Sequence, residues 1–111
     1  MTISINRDYL IKTLTDLVGI NSVNPSLAKD GPGEAEIGRY IATAMRALGM
    51  TVTILEPHPQ RPSIVGILKG SGNGRSLMLN GHMDTVGVEG MSNPFIPTIS
   101  GRKMIGRGAY D

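Results

Sequence analysis

Residues Leu77 to Gly87 read LMLNGHMDTVG, and this stretch decides how the rest of the chain is understood. An apolar run leads into Gly81, a histidine and an aspartate follow two positions apart, and apolar residues then resume. Strand-like sequence that ends in a polar pair puts those two side chains at one edge of a sheet. In extended backbone, residues two apart point to the same face, so His82 and Asp84 stand side by side with Met83 opposite. A carboxylate beside an imidazole accepts the hydrogen of one ring nitrogen and leaves the other free for a metal. A hydrogen-bonded pair at a strand end has the same signature, and His-x-Asp alone does not separate the two.

Outward from this stretch, the chain reads as an α/β fold in which helices precede strands. From Asn6 to Val18, Leu10, Ile11, Leu14, Leu17 and Val18 recur at helical spacing, with Asn6 placed to cap the start and Gly19 to stop it. Asn21 to Gly33 is rich in Asn, Ser, Pro and Gly and reads as a loop. A second helix is predicted over about Glu34 to Leu48, striped by Ile37, Tyr40, Ile41, Ala44, Met45 and Leu48 and closed by Gly49. Gly38 inside that helix costs about 1 kcal/mol against alanine and suggests close packing there.

Met50 to Leu55 alternates as a strand, and Pro57 to Pro62 breaks the chain into a loop. Ser63 to Lys69 and Arg75 to Asn80 are β-rich runs, expected to form a hairpin through the Gly70 to Gly74 connection. After a loop over Gly90 to Pro97, Thr98 to Ser100 and Lys103 to Ile105 form a short pair through Gly101-Arg102. No helix follows to cover the other face of the sheet, so the chain reads as one cut short.

The chain has 111 residues, enough for one small domain with a modest core. Eleven basic against nine acidic residues, a net charge of +2, give no argument for nucleic acid or an anionic membrane. One Phe, three Tyr and no Trp provide no platform for stacking bases. With no cysteine, disulfides and thiolate metal sites are excluded. The start lacks a signal-like apolar core and no run approaches a membrane span, so the expectation is a soluble cytoplasmic protein. The glycines of Gly70 to Gly74 join two strands rather than a strand to a helix, which argues against a phosphate loop. His58, among prolines, reads as an exposed loop histidine, and Arg102, Lys103 and Arg107 as a solvated turn.

SLMLNGHMDTV, followed by GRGAYD at Gly106 to Asp111, resembles the paired signature of the co-catalytic dizinc aminoacylase and carboxypeptidase family. That family includes acetylornithine deacetylase and succinyl-diaminopimelate desuccinylase. INSVNPS, GEAEIGRYIATAMRALGM and RPSIVGIL resemble the approach to the motif in acetylornithine deacetylase-like members, so the likeness covers essentially the whole chain.

The resemblance implies the amino-terminal part of a catalytic domain over residues 1–111, within an α/β-α sandwich built on a mixed sheet. The rest of that domain and an inserted lid and dimerisation domain lie outside it. It implies His82 as a ligand of one metal, Asp84 as the catalytic residue that orients His82, and Asp111 as the carboxylate bridging two divalent ions, zinc or alternatively cobalt. A carboxylate with two oxygens spans ions about 3.5–4 Å apart, and an imidazole binds one.

Gly106 and Gly108 would allow the tight path that brings Asp111 opposite His82. The implied reaction is hydrolysis of the amide of an N-acyl amino acid, with a desuccinylase or dipeptidase as near alternatives and a homodimer as the family's assembly. The family's general base comes from a Glu-Glu pair further along, so Glu34, Glu36, Glu56 and Glu89 are not candidates for it. The competing expectation is a stand-alone, non-catalytic interaction module.

Overall fold

The computed structural model describes residues 2–111. Among these residues the chain forms two helices and two antiparallel strand pairs, in the order α1 (Arg7–Val18), α2 (Ala35–Ala47), β1 (Thr51–Leu55), β2 (Ser63–Ile67), β3 (Thr98–Ser100) and β4 (Lys103–Ile105).

The helix ends follow from local chemistry. The Asn6 side chain accepts a hydrogen bond from the Tyr9 amide at 3.0 Å, satisfying one of the donors that the first turn leaves free. Gly19 caps the other end in a right-handed conformation, its amide donating to the Thr15 carbonyl at 3.0 Å while the Ile20 amide donates to the Leu17 carbonyl at 3.2 Å. α2 runs from the Glu34 cap to the Leu48 cap, and Gly49 takes the left-handed turn beyond it, at φ +82°.

α2 packs against β1 and β2. The reason for a glycine at position 38 is visible here. A methyl group on Gly38 would lie 3.0 Å from Pro62 Cγ and 3.4 Å from Ile64 Cδ1, so its absence lets the helix settle onto β2. On the sheet side, a Cβ on Gly66 would meet the sulfurs of Met45 and Met50 at 2.7 and 2.9 Å; the two flexible thioethers fill the space above the strand. The buried apolar residues Val18, Val23, Ile37 and Ala42 come from α1, the loop after it, and α2. No helix among the described residues is long and apolar enough to cross a membrane.

The strand expectation fails in one place. Arg75 to Asn80 does not form a hairpin with Ser63 to Lys69; β2 pairs with β1 in full register, from Thr51 opposite Ile67 to Leu55 opposite Ser63. Residues 75–80 run outside any strand, with Leu77, Met78 and Leu79 at 84, 83 and 87% exposure. The reason lies at both ends of the segment. The seven-residue link over Glu56 to Pro62 returns the chain directly beside β1, and further on Thr85 is held by a parallel bridge to Val23. The run between connects β2 to the Val23 loop without pairing. The β3–β4 pair forms as expected, with Ile99 opposite Met104 and Gly101 at the turn at φ +59°. A small α/β domain is therefore present, and its strands are antiparallel within each pair.

Candidate metal centre

The site is assembled from three segments distant in sequence: the loop after α1, the His82–Thr85 stretch, and the tail from Gly106 to Asp111. The first two are joined by backbone. The Thr85 amide donates to the Ser22 carbonyl at 3.1 Å, and the Asn24 amide donates to the Thr85 carbonyl at 2.9 Å. The third is brought in at Arg107, whose amide donates to the Pro94 carbonyl at 2.9 Å.

The two glycines of the tail are required by this path. A Cβ on Gly106 would lie 2.5 Å from Val18 Cγ1. Gly108 has φ +81° and a Cβ there would lie 2.9 Å from Thr85 Cγ2. The first would collide with the core and the second would be strained by both backbone and neighbour.

The three residues singled out from the sequence converge. His82 Nδ1 faces Asp84, 3.2 Å from Oδ1 and 3.0 Å from its backbone carbonyl oxygen, and His82 Nε2 lies 2.9 Å from Asp111 Oδ1. The ring thus sits between two carboxylates and presents one nitrogen to each. They border an open cleft of about 470 Å³ whose other walls include Leu27, Thr85 and Arg107. The Asp111 contact, followed by the Asp84 carbonyl and carboxylate, holds the imidazole above its ordinary pKa of 6.5. Asp84 is held below the usual carboxylate value of 3.8, first by a hydrogen bond from the Asn24 amide and then by His82, with burial opposing them.

The donor chemistry fits a divalent metal in part. Two ligand atoms about 2.0–2.2 Å from one tetrahedral ion stand roughly 3.4 Å apart, so Nε2 and Oδ1 at 2.9 Å need to open by only about half an ångström. They do not close a coordination sphere. Among the described residues no group of three or more His, Cys, Asp or Glu is placed to hold an ion.

Of the four glutamates set aside as general bases, two are engaged in contacts of their own. Glu34 is buried in an ion pair with Arg61, and Glu56 Oε1 accepts from the Gln60 amide at 2.9 Å. Glu36 occupies the first turn of α2, and Glu89 is exposed in a loop.

Sequence reasoning missed Asn24, whose Nδ2 donates to Asp84 Oδ2 at 2.8 Å across 60 positions of chain. The only local signal was its place before Pro25, where an asparagine marks a turn.

With this geometry in place, comparison with known proteins identifies the chain's relatives. It is 32% identical to an N-formyl-4-amino-5-aminomethyl-2-methylpyrimidine deformylase of Halalkalibacterium halodurans, over 96% of this chain and 25% of that protein. It is 35% identical to carboxypeptidase G2 of Pseudomonas sp., over 92% of the chain and 24% of the relative. A metallohydrolase of Methanocaldococcus jannaschii is 33% identical, over 91% of the chain and 28% of the relative.

By these similarities the chain is a relative of hydrolases that include a deformylase, a carboxypeptidase and a metallohydrolase. It spans about a quarter of the length of the curated relatives it matches. No family model matches the chain, and no solved structure matches it.

Proposed function

We propose that this chain forms one wall of the metal centre in a zinc-dependent hydrolase that cleaves the amide bond of N-acyl amino acids. The observation that carries the reading is the position of His82, whose two ring nitrogens each face a carboxylate. In that arrangement Asp84 accepts from Nδ1–H and sets the tautomer, leaving the Nε2 lone pair for a metal. Asp111, on the far side, would hold the ion together with His82, and its second oxygen would be available to a neighbouring one.

When bound, the paired ions lower the pKa of a water and polarise the scissile carbonyl. This chain's own residues hold and orient the ligands; the general base and the remaining ligands are supplied from outside these residues. Acetylornithine deacetylase remains the substrate reading suggested by the motif. The relatives are named a deformylase and a carboxypeptidase, so an N-formyl amine and a peptide-like amide are the alternatives within the same chemistry. The activity belongs to the whole protein, in a homodimer acting on a small molecule in the cytoplasm.

The test is hydrolysis by the full-length protein of a panel comprising N-acetylornithine, N-succinyl-diaminopimelate, an N-formyl amine and a dipeptide, before and after chelation. Turnover of one member that chelator abolishes and zinc or cobalt restores supports the reading. Turnover that survives complete metal removal overturns it.

A further inference from the structure

We infer that Asn24 is a positioning residue of this metal centre, locking Asp84 in the rotamer that aims Oδ1 at the His82 ring. The inference rests on the metal-site reading above and adds a residue that neither the motif nor the names of the relatives point to.

The orientation of the Asn24 amide is determined by its two partners. Its Oδ1 accepts from the Ser26 backbone amide at 2.8 Å, which turns Nδ2 towards Asp84. A carboxylate only accepts, so a donor is what Asp84 requires there. With Oδ2 taken by Asn24 at 2.8 Å, Oδ1 is the oxygen left to face His82 Nδ1 at 3.2 Å. A carboxylate tethered at both oxygens does not swing round to bind the ion itself, which keeps Asp84 an orienter rather than a ligand.

The backbone of Asn24 is fixed as firmly as its side chain. Its amide bonds to the Thr85 carbonyl, one residue from Asp84, and its carbonyl accepts from the amides of Leu27 and Ala28 at 3.0 Å each. The turn it starts is packed so closely that a Cβ on Gly31 would lie 2.5 Å from the Val23 carbonyl oxygen. A rigid loop bonded to both the side chain and the neighbouring backbone of Asp84 transmits its geometry directly to His82.

Asn24→Asp separates this role from turn formation. The new carboxylate keeps an acceptor for the Ser26 amide but opposes Asp84 with oxygen instead of N–H. Asn24→Ser also keeps a local acceptor and is too short to reach Asp84, so it serves if the first variant folds poorly. In the full-length protein, each variant should weaken zinc binding, measured by chelator competition, about tenfold, as outer partners of metal ligands do. The thermal midpoint should stay near that of the unaltered protein. In an Asp84→Ala background, Asn24→Asp should cause no further loss.

The His82 ring C–H resonances of the metal-free protein provide a second readout and should shift in both variants. Unaltered zinc affinity together with unmoved ring resonances overturns the role of Asn24 while leaving the metal site standing. If His82→Ala leaves zinc binding unchanged, the metal-site reading fails instead, and the ring resonances alone then decide whether Asn24 positions Asp84 and His82.

Discussion

His82 Nε2 and Asp111 Oδ1 stand 2.9 Å apart although 29 positions separate the residues. The contact exists because the Gly106–Gly108 tail passes between Val18 and Thr85 before reaching the cleft. If Asp111 bridges two ions while His82 binds one, the two substitutions should differ in metal content. Asp111→Asn should deplete both ions and His82→Ala one, with loss of hydrolysis in each case. Elemental analysis of the purified full-length variants checks this, and two retained equivalents in Asp111→Asn would remove the bridging role.

The glycines near the site are not equivalent to those of the surface loop. Gly108→Ala places a methyl against Thr85 at a left-handed φ and should cost about 1–3 kcal/mol of stability. Gly70→Ala meets nothing within 4 Å and should fall within about 0.5 kcal/mol of the unaltered protein. Chemical denaturation of the two variants gives the comparison directly.

Glu34 and Arg61 form an ion pair in which the carboxylate side chain is 7% exposed and the guanidinium 29%. Losing Arg61 leaves a charge with little access to water, whereas losing Glu34 leaves a cation that can turn outwards. Arg61→Ala should therefore lower the thermal midpoint more than Glu34→Ala does. Equal midpoints would show that the pair adds nothing beyond its packing.

Between α1 and α2, Asp16 is held below its ordinary value of 3.8, first by Lys12 and then by the Tyr40 hydroxyl, which donates to Oδ2 at 2.8 Å. A carboxylate whose folded value is depressed contributes stability above the unfolded value, and that contribution is lost as pH falls through the folded one. Stability from this cluster should thus be complete above about pH 4 and fade below it. In a carboxyl NMR titration, Asp16 should move up towards its ordinary value in both Lys12→Met and Tyr40→Phe, further in the former. An unmoved midpoint in both would contradict the assigned contacts.

Much of this was legible in the sequence because its causes are local. Asn6 caps α1 through a side chain three residues from its acceptor amide, and α2 follows the period of its own apolar stripe. His82 and Asp84, two positions apart, touch at 3.2 Å. The β3–β4 pair needs only a tight turn at Gly101-Arg102. That a histidine flanked by aspartates can serve a metal follows from residue type, whereas the meeting of His82 with Asp111 depends on packing.

The sequence alone determined the helices and the short hairpin, and it offered His82, Asp84 and Asp111 as candidates for the site. Tertiary structure decided which segments meet. Arg75 to Asn80 has strand-like composition, yet whether it pairs depends on where Thr85 is anchored, and that is set by Val23, 62 positions earlier. Asn24 carries no catalytic signature of its own. The Val23–Thr85 bridge lays the Asn24 side-chain amide against Asp84, and a contact made through the backbone of two distant segments leaves no periodic trace in either.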